Sequence, residues 1–339
     1  MKFLWIVSLT LLINACAESK MDTRKASPNF KNGQFENNTD IKTLTFWQIV
    51  WAGLTSDVEQ ANWPDTVETN EDKMPAAREL GDKVRITLVN HATFLIQTQG
   101  VNVLTDPVFS ERASPISFAG PKRVHQPGIA LANLPSIDVV VISHDHYDHL
   151  DLDSLAFLIK RDNPKIYVGL GVAKRLPSSA NTTELDWGES VQVNDIFKLW
   201  FLEVQHNSGR TPFDRNSTLW GGFLMHIGDQ KIYFGGDSGY ANHYKYAYEK
   251  FGPVDIAFIP IGAYAPREIF KPVHLDPFEA VQAHQDLNSK QSIGMHYGTF
   301  QMTAEPRLEP VELLDVAKKA AQVPASEFIT LEVGQPTNF

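Results

Sequence analysis

Residues 138–151 read Asp-Val-Val-Val-Ile-Ser-His-Asp-His-Tyr-Asp-His-Leu-Asp, with three histidines and two aspartates in six positions directly after a short apolar run. The run 139–142 has the length and the β-branched content of a buried strand, and Asp151 or Asp153 could cap a helix over 154–159. Open α/β sheets bind ligands at the carboxyl ends of their strands. The stretch therefore predicts a reactive site at the end of a central strand.

The side chains of this cluster are those of a metal site. In an extended segment His144, His146 and Asp148 point the same way, and His149 joins them as the chain turns into the helix. Imidazole and carboxylate without thiolate suit zinc, with manganese or iron as alternatives. Four ligands this close could serve one ion. The pair His144 and His146 and the pair Asp148 and His149 more easily supply two neighbouring ions. We therefore predict two zinc ions rather than a surface loop that is rich in histidine by chance.

Three later apolar runs also end at residue types that bind metals, and these residues are His206, Asp237 and His296. Taken singly, each histidine could be a core residue that pairs with the backbone. Because all three recur at the same structural position, after a strand, we interpret them together as further ligands. Gly235 and Gly236 let the backbone approach closely in front of Asp237.

The chain is long enough, and at 43% hydrophobic residues apolar enough, to bury a large core. Candidate strands cover 84–89, 93–98, 101–105, 139–142, 165–169, 197–205, 219–226, 231–234, 255–260 and 291–295. Candidate helices cover 152–161, 172–176, 240–251, 277–287 and 310–321. Strands cluster before helices in both halves, which predicts two sheets packed face to face with helices outside.

The order of the ligand motifs identifies a family. The motif at 144–149 with the three later residues resembles the metallo-β-lactamase superfamily, which implies an α/β fold, an αββα sandwich of two packed mixed sheets with outer helices. Further motifs between 84 and 332 resemble the N-acylphosphatidylethanolamine-hydrolysing phospholipases D. These motifs read Thr105-Asp106-Pro107-Val108-Phe109-Ser110, Gly236-Asp237-Ser238-Gly239-Tyr240, Ile259-Pro260-Ile261-Gly262-Ala263-Tyr264, His274-Leu275-Asp276-Pro277 and His296-Tyr297-Gly298-Thr299-Phe300.

The resemblance implies a role for each residue of the site. One ion would be held by His144, His146 and His206, the other by Asp148, His149 and His296, with Asp237 bridging both.

Two other residues match positions at which family members contact the substrate, namely Tyr147 and His274. The resemblance makes Asp237 and His274 the catalytic candidates, since His274 could also protonate a departing alkoxide. Val273 stands where the animal enzymes carry Gln, which leaves the headgroup preference open.

The family implies a phosphodiester hydrolase of the phospholipase D type. Two ions about 3.5–4 Å apart would supply a hydroxide nucleophile for attack on phosphorus, and the products from an N-acylphosphatidylethanolamine-like lipid would be phosphatidic acid and N-acylethanolamine. The alternative is a metal-dependent lactonase or β-lactamase-like hydrolase of small periplasmic molecules. An apolar pocket favours the lipid, whereas a small polar pocket lined by Arg123 or Arg267 favours a charged soluble substrate. A non-catalytic protein with structural zinc is a third alternative.

The first residues resemble a bacterial lipoprotein signal. Lys2 precedes an apolar core over 3–13 that is too short to span a bilayer and that leads to Cys16, the only cysteine of the chain. The resemblance implies that Cys16 is the lipidated first residue of the mature chain. We therefore predict a membrane-anchored lipoprotein of the bacterial cell envelope that faces the periplasm, and Ala17 favours the outer membrane over the inner one.

The predicted organisation has four parts. A signal peptide and its cysteine over 1–16 precede a flexible tether over 17–42, an apolar segment over 43–83 and a hydrolase domain over 84–339. The apolar segment, richest over 46–54, packs on the domain or on the membrane.

The partners follow from charge and from the anchor. The formal net charge of −10 and the lack of a basic run exclude a nucleic-acid partner. The predicted partners are a phospholipid substrate and the membrane that the N-terminal lipid anchor reaches. The oligomeric state stays open, with a homodimer among the alternatives.

The remaining histidines, His91, His125, His226, His243 and His284, have no comparable position after a strand. His91 is a candidate for supporting a ligand from behind. We favour structural or surface roles for His226 and His284.

Overall fold

The computed structural model describes residues 22–41, Gln48 and 59–339 of the chain. Two seven-stranded sheets form most of the described structure, and a two-stranded hairpin precedes them. The hairpin consists of β1 (Phe30–Lys31) and β2 (Gln34–Phe35).

The first sheet has the order β16-β3-β4-β5-β6-β7-β8. Its strands are β3 (Arg85–Asn90), β4 (Thr93–Thr98), β5 (Val101–Thr105), β6 (Val139–Ile142), β7 (Lys165–Gly169), β8 (Thr182–Leu185) and β16 (Pro336–Asn338). The pairs from β16 to β5 are antiparallel and those from β5 to β8 are parallel. The parallel half brings the carboxyl ends of β5 and β6 to the same edge.

The second sheet has the order β15-β14-β13-β12-β11-β10-β9 and is mixed in the same way. Its strands are β9 (Ser190–Asn194), β10 (Phe197–Leu202), β11 (Gly222–Ile227), β12 (Gln230–Phe234), β13 (Ile256–Pro260), β14 (Gln291–Met295) and β15 (Phe328–Ile329).

The two sheets pack face to face, and helices cover their outer faces. Between the sheets, Phe94 of β4 meets Phe258 of β13 with ring centroids 4.5 Å apart, within one apolar cluster that spans both sheets. Separate clusters join the outer helices to each sheet. The α-helices that lie wholly in the described residues are α1 (Leu152–Asp162), α2 (His243–Phe251), α3 (Arg267–Phe270), α4 (Pro277–Asp286) and α5 (Glu309–Ala320). The predicted αββα sandwich is confirmed.

The structure differs from the predicted elements mainly at sheet edges and strand starts. The strand predicted over 219–226 begins at Gly222, because Leu219 and Gly221 donate their backbone N–H groups to Leu170 and Ser143 instead of to a ladder partner. Strands β8, β9, β15 and β16 are not predicted. They have two to five residues each. Strands β15 and β16 pair with strands that are distant in sequence, whereas β9 forms a local hairpin with β10 and is too polar and exposed to show an apolar run.

Residues 22–41 correct part of the predicted tether over 17–42. They form a 3-10 helix at Thr23–Ala26 and the β1–β2 hairpin, and they lie against the domain. Phe35 is fully buried in the cluster between the sheets, and its N–H donates to the Asn216 carbonyl at 2.7 Å. A single buried phenylalanine anchors the segment, and average composition does not reveal such an anchor.

The predicted apolar segment over 43–83 is described from residue 59 onward. There the Trp63 indole donates to the Glu305 carbonyl at 2.9 Å and the Val67 N–H donates to the Val124 carbonyl at 2.6 Å, so the chain runs along the domain. The apolar stretch 46–54, apart from Gln48, and Cys16 lie outside the described residues. Within the described part of the chain, no helix combines the length and the hydropathy needed to cross a bilayer.

Candidate metal centre

The structure brings all seven predicted ligands together at the carboxyl ends of strands from both sheets. The loop after β6 carries four of them, and one each follows β10, β12 and β14. Six of the seven are buried, while His146 is partly open to a pocket. They form two groups around Asp237. The first group is His144, His146 and His206, and the second group is Asp148, His149 and His296, with the His91 ring close enough to be counted with them. His274 is likewise close to His206 and Asp237.

The first group is a close triangle of imidazole nitrogens. The His146 Nδ1 atom lies 2.8 Å from His144 Nε2 and 3.4 Å from His206 Nε2. Burial lowers the pKa of all three histidines, most strongly for His144 and His206, and the neighbouring histidines lower it further. The first group therefore consists of neutral imidazoles at neutral pH.

Outward hydrogen bonds fix the rings of the first group. His206 donates its Nδ1–H to the Val273 carbonyl at 2.9 Å. Ser143 Oγ donates to Asp106 at 2.6 Å and accepts from His144 Nδ1–H at 2.9 Å. Since a neutral imidazole carries one proton, the Nε2 atoms of His144 and His206 both present lone pairs to the interior.

The second group mixes imidazole with carboxylate. Asp148 Oδ2 lies 3.1 Å from His296 Nε2 and 3.3 Å from His149 Nε2. Burial alone would lower the pKa of His149, but the charges of Asp237, Asp148 and Asp106 raise it well above its usual value. Burial likewise opposes ionisation of His296, yet Asp237 and Asp148 raise its pKa to about 9. Without a metal, the second group therefore holds protons.

Asp237 lies between the groups. Its Oδ2 atom is 3.0 Å from His296 Nε2, 3.2 Å from His149 Nε2 and 3.8 Å from His206 Nε2. Burial would raise the pKa of Asp237, but His149 and His296 lower it well below its usual value. Gly236 makes this position possible, because its φ is 57° and a Cβ there would lie 2.6 Å from the Ser143 Cβ atom.

Asp106 joins both groups from behind, a role that the sequence interpretation missed. Fully buried after β5, it accepts hydrogen bonds from Ser143 N at 2.7 Å, from Ser143 Oγ and from His149 Nδ1 at 2.6 Å. The bond to His149 leaves Nε2 of that ring to face Asp237. Asp106 directly follows the predicted strand 101–105, so the end-of-strand rule that identified His206 could have found it.

His91 supports the second group from the other side, which is the position expected for a group behind a ligand. Its Nε2 lies 3.1 Å from Asp148 Oδ2, and its ring centroid is 4.0 Å from that of His296. Burial lowers the pKa of His91 to about 3, so the neutral ring donates its Nε2–H to Asp148. The φ of 44° at His91 turns the chain here, and its N–H donates to Thr299 Oγ1.

The donor set fits divalent cations such as zinc. The lone pairs of His144 and His206 converge on His146, and Asp237 Oδ1 is buried without a hydrogen-bond partner among the described residues. Buried lone pairs of this kind are unfavourable unless a cation or a donor satisfies them. Nitrogen and carboxylate oxygen are the ligands that zinc takes in open sites, and the outward bonds to Ser143, Val273 and Asp106 are the support that such ligands need.

A pocket of about 250 Å³ opens directly onto the cluster. Apart from ligands, its lining is largely apolar and consists of Ala113, Tyr147, Ala263, Phe270, His274, Met302 and Thr303. Neither arginine named as a marker of a charged substrate lines it. Arg123 donates to the Val108 and Ser110 carbonyls, and Arg267 binds Glu279 at 2.6 Å.

The two predicted substrate contacts, Tyr147 and His274, both lie in this pocket. Tyr147 donates to the Arg210 carbonyl at 3.1 Å, and the Arg210 guanidinium packs 3.8 Å from the Tyr147 ring centre. His274 Nδ1 lies 3.9 Å from Asp237 Oδ2 and has no hydrogen-bond partner in the described chain. Burial lowers the pKa of His274 to about 4, so its ring is neutral at pH 7.

The other four histidines do not belong to the ligand groups of the described chain. His226 is partly exposed on β11, and His284 is buried on α4 with its Nδ1 2.8 Å from Ser292 Oγ, in line with the structural or surface roles expected for both. His125 Nε2 lies 2.9 Å from Thr299 Oγ1, and His243 Nε2 lies 3.2 Å from Ser238 Oγ.

Comparisons with known proteins identify the family of the chain. The family model described as "Beta-lactamase superfamily domain" matches residues 101–297. The chain is 41% identical over 264 residues, 74% of each chain, to N-acyl-phosphatidylethanolamine-hydrolyzing phospholipase D 1 of Caenorhabditis elegans. It is 34% identical over 333 residues, 92% of this chain and 85% of the relative, to an uncharacterized protein of Mycobacterium tuberculosis.

A solved structure shares the fold. A metallo hydrolase from the archaeon Ignicoccus hospitalis superposes with a TM-score of 0.58 at 20% identity, over 76% of this chain and 98% of that one. The family model covers more than half of the chain, and the site has the histidine and aspartate groups described above. The chain therefore belongs to the metallo-β-lactamase superfamily and is a metal-dependent hydrolase of that fold.

Proposed function

We propose that the protein is a phosphodiester hydrolase of the phospholipase D type, which cleaves N-acylphosphatidylethanolamine-like lipids to phosphatidic acid and N-acylethanolamine. The observation that carries the proposal is the apolar pocket that opens directly onto the metal centre and is lined by four of its seven predicted ligands, His146, Asp148, Asp237 and His296. The 41% identity to a relative that bears the name of this activity supports it.

The size of the pocket limits which part of the lipid it holds. Its volume of about 250 Å³ is below the roughly 300–1,000 Å³ of pockets that enclose a whole drug-sized ligand. The phosphodiester and the carbons next to it fit beside Phe270 and Met302. The acyl chains must leave through the mouth of the pocket, and an enzyme on a bilayer surface can accommodate them there.

The bound ions would supply an activated water nucleophile and neutralise charge on the phosphoryl oxygens. Asp237 is a short buried carboxylate whose Oδ1 atom has no hydrogen-bond partner among the described residues, so it can orient the attacking water. Tyr147, held by Arg210, forms one wall beside the phosphodiester.

His274 acts on the leaving group in this proposal. It lines the pocket, and its neutral ring has a nitrogen without a partner 3.9 Å from Asp237. A neutral imidazole is a weak acid but a good hydrogen-bond donor. The lowered pKa therefore favours a hydrogen bond to the departing oxygen over complete proton transfer from His274.

A metal-dependent lactonase or β-lactamase-like hydrolase is the second candidate. The modest pocket volume favours it, because a small molecule would fill the pocket. The lining opposes a charged small substrate, since Arg123 and Arg267 are engaged with protein partners. A purely structural zinc protein fits less well, because structural sites are closed whereas these ligands border a pocket.

We also propose that the protein is a lipoprotein anchored through Cys16 to a bacterial envelope membrane, with the outer membrane favoured, where it would face the periplasm. The support is the sequence pattern around Cys16 and the lipid substrate proposed above. Loss of membrane association in a Cys16→Ala variant, measured by fractionation, is the expected outcome. Unchanged membrane association would contradict the anchor.

The decisive experiment incubates purified zinc-loaded protein with N-acylphosphatidylethanolamine vesicles and with a panel of lactones and β-lactams. Mass spectrometry then identifies the products. We expect phosphatidic acid and N-acylethanolamine in equal amounts from the vesicles. Turnover of lactones or β-lactams alone would replace the phospholipase proposal by the second candidate.

A further inference from the structure

The N-terminal strap, defined here as residues 22–41, ends beside the metal centre. It lies outside the region that the family model matches, which begins at residue 101. Three consecutive strap residues contact the chain that follows β10. The Asn38 side chain bonds to the Glu203 carboxyl group, Thr39 Oγ1 donates to Gln205 Oε1 at 2.7 Å, and Asn37 contacts the next residue, His206.

Asn37 binds the peptide groups of His206 from both directions. Its Nδ2 donates to the His206 carbonyl at 2.8 Å, and its Oδ1 accepts from the His206 N–H at 3.1 Å. His206 is 1% exposed, so water cannot easily replace these partners. The β10–β11 ladder ends at Leu202 and Gly222. His206 therefore has no neighbouring strand in the described structure to bond its peptide groups. The amide side chain of Asn37 makes the two hydrogen bonds that such a strand would make.

This contact fixes a side chain of the first group. His206 reaches the centre through Nε2, and its ring is oriented by the Nδ1–H bond to the Val273 carbonyl. A ring fixed at Nδ1 can still swing if its backbone shifts. The pair of bonds from Asn37 prevents that shift, because a shifted backbone would leave two buried polar groups of His206 without partners, which is unfavourable.

We propose that Asn37 is a positioning residue for the metal centre, and that the strap completes the first group by holding His206. The proposal rests on the metal centre of the proposed function but not on the identity of its substrate. Residues of the second group have no contact of this kind with the strap among the hydrogen bonds of the described chain. The effect of Asn37 is therefore confined to one of the two groups.

The test uses the full-length protein and zinc alone. Stepwise zinc affinities come from competition with a chromophoric chelator, for the parent, for Asn37→Ala and for Asn29→Ala. Asn29 is the matched control, since it is in the same strap and its side chain makes none of the hydrogen bonds found in the described chain. We expect one zinc equivalent to weaken by about 10-fold in Asn37→Ala, the range seen when the support of a ligand is removed, and the other to stay unchanged.

Cobalt substitution assigns the affected equivalent. The visible absorption of Co²⁺ should change for one equivalent in Asn37→Ala, and this should be the same equivalent that a His206→Ala variant loses. Parent-like affinities and spectra in Asn37→Ala would overturn the proposal, as would equal weakening of both equivalents. If Asn37→Ala does not fold, Thr39→Val must show the same selective weakening relative to Asn29→Ala, and its absence would also overturn the proposal. These outcomes are independent of which substrate the enzyme cleaves.

Discussion

The first and second groups of the centre share Asp237 but differ in charge. His144, His146 and His206 are neutral imidazoles, since burial lowers the pKa of each. His149 and His296 face ionised carboxylates, which raise their pKa values despite burial. The first group is supported by neutral partners such as the Val273 carbonyl, whereas the second is supported by Asp106 and His91.

The difference predicts that the two groups would bind cations in different ways. A cation that enters the first group finds free lone pairs and displaces no proton. A cation that enters the second group must displace protons from His149 and His296, but it gains the charge of Asp148. The two sites should therefore differ in pH dependence and in their response to changes of the supporting residues.

The largest expected effect comes from the residue that the groups share. In Asp237→Asn both sites lose their common carboxylate, so we expect turnover to fall by about 1,000-fold and metal content to fall while the fold is retained. Turnover assays, metal analysis and circular dichroism measure these quantities. Asp138→Asn is the control, because Asp138 pairs with Arg78 away from the centre. Full activity in Asp237→Asn would remove the basis for treating the groups as one centre.

His274 tests whether a residue beside the first group can matter without binding metal. Its ring lies 5.2 Å from that of His206, yet the resemblance implies a substrate contact rather than a ligand. In His274→Ala we expect kcat to fall by about 100-fold with both metal equivalents retained. His274→Gln, which keeps a hydrogen-bond donor, should recover part of the loss. Loss of a metal equivalent in His274→Ala would make it a ligand of the first group.

Asp106 tests the support of the second group. In Asp106→Asn the direct acceptor for His149 is weakened, so we expect the metal affinity of the second group to fall by about 10- to 100-fold. The first group should change less, since Asp106 reaches His144 only through Ser143. Ser143→Ala is the matched variant, and in it we expect the metal affinity of the first group to fall more than that of the second group. Stepwise zinc affinities decide between them, and identical patterns in both variants would contradict separate support.

The response to pH tests the charge difference between the groups directly. The raised pKa of His296, about 9, means that its proton is present below that pH and must leave when metal binds. The affinity of the second group should therefore fall about tenfold per pH unit, for each displaced proton, as pH decreases from about 8 to 6. The lowered pKa values of the first group leave its affinity nearly constant in that range. Chelator competition at several pH values measures how the zinc affinity of each group changes with pH. Equal pH dependence of the two affinities would contradict the charge difference between the groups.

Much of the fold and site was predictable from local sequence. The ligands follow apolar strands directly, at 144–149, His206, Asp237 and His296, so the periodicity that locates a strand also locates its carboxyl end. Asp106 follows the same rule and could have been found. Asn37 could not, because its role depends on a contact 169 residues away along the chain.

The sequence by itself determined the two-sheet sandwich, the identity of the seven candidate ligands and their place at strand ends, because buried β-branched runs and ligand types are local properties of the chain. Only the tertiary structure decided the edge strands β8, β15 and β16, the packing of residues 22–41 through Phe35, and the different charge of the two groups. Each of these depends on which residues become neighbours when the sheets close. Burial and Coulomb interaction act through space, so their strength is fixed only by the folded arrangement.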